Sequence, residues 1–413
     1  MIAKLGEAHR PGGHGSGRTH KIYLTRRDLL ESSHELGPEK FRAKQRDPKN
    51  FIEGKNMKIG LIGLPQVGKK TLFELLTNHK PTESELASNK PIKGIAEIRD
   101  ARFDKLVEIY KPKKEVRARI DIETLPKIEK DTVAKGDIFA EINDLDAICH
   151  AVRAFKDDSI YHVDGSVDPK RDIDFVNSEL ILHDLLFIEK RMGRLDKTIK
   201  QTSQEAAAKE REVLMKLKTH LDKELPLRLL ELTADEKKGI ASYPFVTRKA
   251  MLIVLNVSEA DLKDKAFLEN LKFELGPLKI DIMQISAKVE REITALESKE
   301  EKIEFLRALG IDEPAINILT RLCIKALDLI SFFTVGDDEV RQWLIRRLSS
   351  ASEAASAIHS DLQKGFIRAE VMKYNDLINF GSEEKVKEAG KFYIKGKDYI
   401  VEDGDIVHIR FNV

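Results

Sequence analysis

The feature that most constrains this chain is a heptapeptide, Gly63-Leu64-Pro65-Gln66-Val67-Gly68-Lys69, set between an apolar run and an amphipathic one. Met57–Gly63 is short, apolar and β-prone, so it reads as a buried strand. From Lys69 onward, Leu72, Phe73, Leu75 and Leu76 give a helix one apolar side. Strand, glycine-bounded loop and helix in this order fit the opening GxxxxGK of a phosphate loop. Glycines permit positive φ and let backbone N–H groups converge on an anion, and the helix N-terminus adds a favourable field. Lys69 would reach the outer phosphates of a nucleotide, with Gly63, Pro65, Gln66, Val67, Gly68, Lys70 and Thr71 forming the cradle. The plain alternative is an ordinary Gly-Pro turn, and the strand–loop–helix context argues against it.

Further strands are predicted at Ile92–Ile98, Arg117–Ile122, Ala147–Val152 and Met251–Asn256, with helices between them. That alternation predicts an α/β fold with a mostly parallel sheet covered on both faces, over 57–176 and 244–326. Within 177–243 the pattern changes. Leu180, Leu185, Ile188, Met192, Leu195 and Ile199 recur at helical spacing, and so do Leu214, Leu217, Leu221 and Leu225. This predicts an inserted antiparallel helical hairpin. Over 327–413 a small α+β module is expected, with strands at Leu327–Thr334, Phe366–Lys373 and Tyr399–Asn412 and with Trp343 on a helix. Asp403-Gly404-Asp405 is a turn signal before the strand Ile406–Phe411.

Residues 1–56 hold no apolar h-region of a secretory signal and read as a disordered extension or a start-site artefact, with a basic arm touching RNA as the alternative; Met57 opens the first strand and reads as a candidate true start. The 71 basic and 70 acidic residues leave a net charge of +1, so any basic surface is local. No apolar run is long enough to cross a bilayer, so no membrane partner is expected. Cys149 and Cys323 have no ligand spacing, which argues against a zinc site or a disulfide framework and suits a reducing cytoplasm.

Several segments together resemble the Obg-like ATPase (YchF) family from about Met57 to Val413. They are Gly63–Lys69, Asp146–His150, His162–Pro169 with Arg171–Ile173, Asn256-Val257-Ser258-Glu259, and Gln284–Lys288. In the C-terminal part, Ile358–Asp361, Lys364–Val371 and Gly396–Val401 are similar to the family's TGS domain. The resemblance implies a P-loop G-domain with a helical insertion, a ubiquitin-like (β-grasp) TGS domain, ATP preferred over GTP, a cytoplasmic location and association with the ribosome. It also implies base contacts from Asn256, Val257, Glu259, Ser286, Ala287 and Lys288. The family's NxxE replaces the NKxD of GTPases, whose Asp accepts two hydrogen bonds from guanine. Here Glu259 is one methylene longer and Val257 stands where a lysine would pack on the base.

Three departures touch the same chemistry. Lys70 follows Lys69 where a Ser or Thr hydroxyl ligates Mg²⁺, and an ammonium has no acceptor. Either Lys70 stands in for part of the metal's charge, or it faces solvent and the metal site is lost; the second is preferred. Ala87–Lys93 holds no threonine to close over the metal, and Thr82 is out of place. Asp121-Ile122-Glu123-Thr124-Leu125 stands for the family's DIAGL, so Asp121 is the one expected metal support, through water, and Thr124 replaces a phosphate-facing glycine. The glycine-rich switch is also eroded across Pro126–Lys135. Hydrolysis is therefore expected to be slow or absent, while ATP binding is retained. The alternatives are a non-enzymatic scaffold acting through the TGS domain and hairpin, and an active ATPase with rearranged metal ligands such as Thr71 or Asp121.

Lys364, Arg368, Lys373, Lys395 and Lys397 interleave with Phe366, Tyr374, Phe392 and Tyr399. That mixture suits RNA contact, but any half-buried small sheet shows it too. His150, His162, His359 and His408 read as structural or surface residues.

Overall fold

The computed structural model describes residues 57–88, 90–128, 137–202 and 205–412. The readings of residues 1–56, and of 129–135 within the eroded switch, lie outside them.

The first sheet is built from β1 (Lys58–Ile62), β2 (Ile92–Glu97), β4 (Arg119–Thr124), β5 (Ala147–Arg153), β6 (Ala250–Asn256) and β7 (Asp281–Ile285), in the order β2-β4-β1-β5-β6-β7. All pairings are parallel except β2 with β4. β5 is buried along its whole length and β6 over all but its first residue, as expected for central strands covered on both faces. Helices Lys69–Thr77 and Ala315–Ala326 pack Leu72, Phe73, Leu76, Leu319 and Cys323 into the core shared with β1 and β5. Cys149 and Cys323 are both free and buried there, and burial raises both thiol pKa values, that of Cys323 to about 12.

The helical hairpin is made of Pro169–Thr202 and Glu205–Leu221. Its first helix begins at Pro169, not Asn177, because its opening turns carry Ile173 and Val176 into the sheet's own core clusters. The apolar pattern does not change at that boundary, only the surface being covered. Further along, Ile181, Leu185, Ile188 and Leu195 meet Ala207, Leu214, Leu217 and Leu221. Arg191–Glu210 and Arg211–Asp196, each at 2.6 Å, cross between the helices. The second helix stops at Leu221, so Leu225 lies beyond it, after a left-handed Glu224.

A second sheet follows the order β11-β10-β12-β8-β9-β3. Its members are β8 (Leu329–Thr334), β9 (Glu339–Arg346), β10 (Phe366–Lys373), β11 (Tyr393–Lys395), β12 (Asp405–Phe411) and β3 (Lys114–Val116). Trp343 is on β9, a correction to its helical assignment: Val340 and Gln342 are buried two residues apart on one face, and Trp343 and Ile345 pack into a different core cluster from the other. The last strand starts at Asp405, because Ile400 bridges Ser350 and the chain then turns over Glu402–Asp405, with the Asp405 carboxylate accepting from Glu402 N and Tyr399 Oη.

β3 comes from the first half of the chain and pairs with β9, Lys114 opposite Glu339. Arg102 reinforces this junction. It binds Asp100 through Nε and Nη2, and its Nη1 donates to Asp403 at 2.8 Å. These carboxylates hold its guanidinium pKa above the usual value despite burial. Arg102→Ala leaves the buried Asp100 carboxylate without its cation, and is expected to destabilise the junction by about 2–3 kcal/mol. Hydrogen exchange should rise in β8 and β12 while β5 stays protected; unchanged protection in β12 would refute this.

Candidate functional site

β1 hands the chain to Gly63 at φ +146°, and the loop closes on Gly68 at φ +98°, which precedes helix Lys69–Thr77. A Cβ on Gly63 would run into the Ala151 carbonyl, and one on Gly68 into Asn256 Nδ2. Only glycine fits at either place, because the loop lies directly against the ends of β5 and β6. Lys69 Nζ donates to Gly63 O at 2.9 Å, Pro126 O at 3.3 Å and Leu125 O at 3.4 Å, which holds the ammonium at the loop.

Asn256 joins two loops. Its Nδ2 donates to Val67 O at 3.1 Å and its Oδ1 accepts from Ala287 N at 3.1 Å. One donor and one acceptor of the amide remain beyond these bonds. Ser286 caps helix Ala287–Ala295 by accepting from Val289 N, and Val257 is buried among Ile253 and Leu271. Glu259 and Lys288 are exposed at the rim.

One cavity of about 1350 Å³ brings these groups together. Pro65 through Thr71 line one side, and Asn256, Val257, Glu259, Ser286, Ala287 and Lys288 line the other. Gly63 sits behind the loop. The sequence reading missed Lys127, Lys156, Lys263 and Arg291, which also line it. For Arg291 a signal existed: four residues beyond Ala287, it shares that residue's helical face.

Asp121 is elsewhere. It pairs with Lys58, the first residue of β1, whereas the loop leaves the last, so roughly 16 Å of strand separates it from Gly63. The stretch that meets the loop is Thr124–Lys127, holding neither a carboxylate nor a glycine; the DIAGL correspondence was drawn three residues too early. Leu125 is core-packed and turns away from the cavity. Lys70 is half exposed with Glu74 at 3.9 Å, and Thr71 Oγ1 accepts from Arg291 at 3.1 Å. Thr82 caps the helix Glu83–Ala87. These donors do not fit Mg²⁺, which needs hydroxyl or carboxylate oxygens near the phosphates. Among the described residues no cluster of His, Cys, Asp or Glu could hold a metal ion.

His150, opposite Ile62 in the sheet, is fully buried with Nδ1 unpartnered. Burial, and then the Lys69 ammonium, push its pKa down to about 3. His162 Nε2 lies 3.0 Å from Asp172 Oδ2, also buried.

A family described as "YchF-GTPase_C: Protein of unknown function" matches residues 329–412. The protein "Ribosome-binding ATPase YchF" of Bacillus subtilis is 40% identical over 365 residues, covering 86% of this chain and 99% of its own. That of Haemophilus influenzae is 39% identical over 362 residues, with the same coverage. The chain belongs to the YchF family. The solved structure of the Schizosaccharomyces pombe YchF GTPase matches this YchF chain with a TM-score of 0.72 at 31% identity, over 89% of this chain and all of that one.

The buried histidine gives this YchF chain a defined acid response. The folded pKa lies below the unfolded value of 6.5, so protonation favours unfolding. The contribution is intact above pH 6.5 and is lost as pH falls toward 3. At pH 5 the loss is about 2 kcal/mol. His150→Gln should remove that part of the slope in denaturant titrations at pH 7.5 and 5; an unchanged slope would contradict it.

Proposed function

We propose that this protein binds a nucleotide in the cavity between the phosphate loop and the Asn256 and Ser286 loops, prefers ATP over GTP, and hydrolyses it slowly or not at all. The loop carries the reading: its left-handed glycines, helix N-terminus and Lys69 converge on one cavity. The absence of a carboxylate in Thr124–Lys127, beside Lys69, supports impaired hydrolysis, since nothing there positions a metal or water. Val257, a short buried side chain where a lysine would pack on the base, and the longer Glu259 weaken guanine recognition.

The names of the Bacillus and Haemophilus relatives support a ribosome-associated, cytoplasmic regulator. We assign ribosome or RNA contact to the C-terminal sheet, read as a TGS-type β-grasp module because β8 and β12 run parallel at its centre. Among the described residues no helix is long and apolar enough to cross a membrane.

The test is displacement of a fluorescent ATP analogue by ATP and by GTP, with cosedimentation on purified ribosomes beside it. ATP should displace at lower concentration than GTP, and deletion of 327–413 should abolish cosedimentation. Equal displacement refutes the base preference, and cosedimentation of the deleted chain refutes the C-terminal assignment.

A further inference from the structure

We propose that this cavity takes a free nucleotide polyphosphate rather than its magnesium complex, and that Arg291 brings the charge a metal would otherwise bring. The inference rests on the nucleotide reading above and names the form of ligand that the site selects.

Arg291 reaches from helix Ala287–Ala295 to the first turn of Lys69–Thr77, where its Nη2 donates to Thr71 Oγ1 at 3.1 Å. Its side chain is 63% exposed, and the Glu74 carboxylate is 3.9 Å away. Hydrogen bonding and not burial holds it there, so it can turn onto a phosphate in the loop without breaking a core. The same Glu74 is 3.9 Å from Lys70, so two cations flank the loop's helix and share one carboxylate. Lys127 and Lys156 face the cavity from other segments. Among the described lining residues, cationic side chains number seven and carboxylates three, and the carboxylates Asp157, Glu259 and Glu292 come from segments other than the phosphate loop and Thr124–Lys127.

Among the described residues, a dication entering this place meets repulsion and few oxygen donors. The threonine hydroxyl nearest the loop already accepts from a guanidinium. The free triphosphate carries more negative charge than its metal complex, so this field favours it. A planar guanidinium also offers paired N–H donors that match two phosphate oxygens.

The experiment is calorimetric titration of ATP into the full chain, in EDTA and in excess Mg²⁺, for wild type, Arg291→Ala, Arg291→Lys and Lys69→Ala, with thermal melts to verify folding. In EDTA the wild type should bind at least as tightly as in Mg²⁺. Arg291→Ala should lower the affinity in EDTA about tenfold to a hundredfold, as losing a charge-assisted hydrogen bond does, with a smaller loss for Arg291→Lys. Affinity about tenfold higher in Mg²⁺ would overturn the inference and leave the nucleotide reading standing. Wild-type affinity in Arg291→Ala would do the same. No binding in either buffer would overturn both.

Discussion

Gly68→Ala is expected to abolish ATP binding. At φ +98° an alanine is strained by about 1–2 kcal/mol. Its Cβ would also enter the space of Asn256 Nδ2, the group that donates to Val67 O and ties the loop to β6. Losing that buried bond adds about 1–2 kcal/mol. The chain relieves both only by moving Val67–Lys69 out of the shape in which its N–H groups converge. Together the two terms correspond to a fall in affinity of about a hundredfold or more. Titration of the variant beside a thermal melt separates a misshapen loop from global unfolding. An alanine variant that folds and binds like the wild type would show that the loop's close fit is irrelevant to the ligand.

Asp184→Ala should have the largest effect on stability. Asp184 lies on helix Pro169–Thr202 and is fully buried. Its Oδ1 accepts from Val246 N at 2.9 Å. Its Oδ2 accepts from Thr247 N at 2.9 Å and from Thr247 Oγ1 at 2.6 Å. One carboxylate thus fixes the turn that feeds β6, the strand ending at Asn256. Alanine strands two buried N–H groups and a hydroxyl, at about 3–5 kcal/mol. Urea unfolding measures this, and a loss under about 1 kcal/mol would mean that the turn finds other partners.

The strand–loop–helix at Met57–Thr77 was legible because its local signals agree: apolar run, paired glycines, then helical spacing. β5 and β6 were legible as continuous apolar runs. Trp343 was misread because a strand with one face half-covered shows weak alternation, which a short window does not separate from helical spacing. β3 was invisible for another reason. Lys114-Glu115-Val116 has no strand character of its own and is extended only because β9 offers it an edge. Asp121 failed through register. An Asp followed by Ile looks like the family's segment, but which residue faces the loop is set by the pairing of β4 with β1, a long-range fact. Lys127 and Lys156 were missed similarly, since the cavity gathers them from segments with no shared pattern.

On the proposed function, phosphate recognition outlasts phosphate chemistry in this YchF chain. Phosphate release from ATP in the presence of Mg²⁺, compared between wild type and Lys69→Ala, tests it most directly. The two are expected to release phosphate at the same background rate. Sustained turnover by the wild type that Lys69→Ala abolishes would contradict this, and would require a metal ligand other than Asp121.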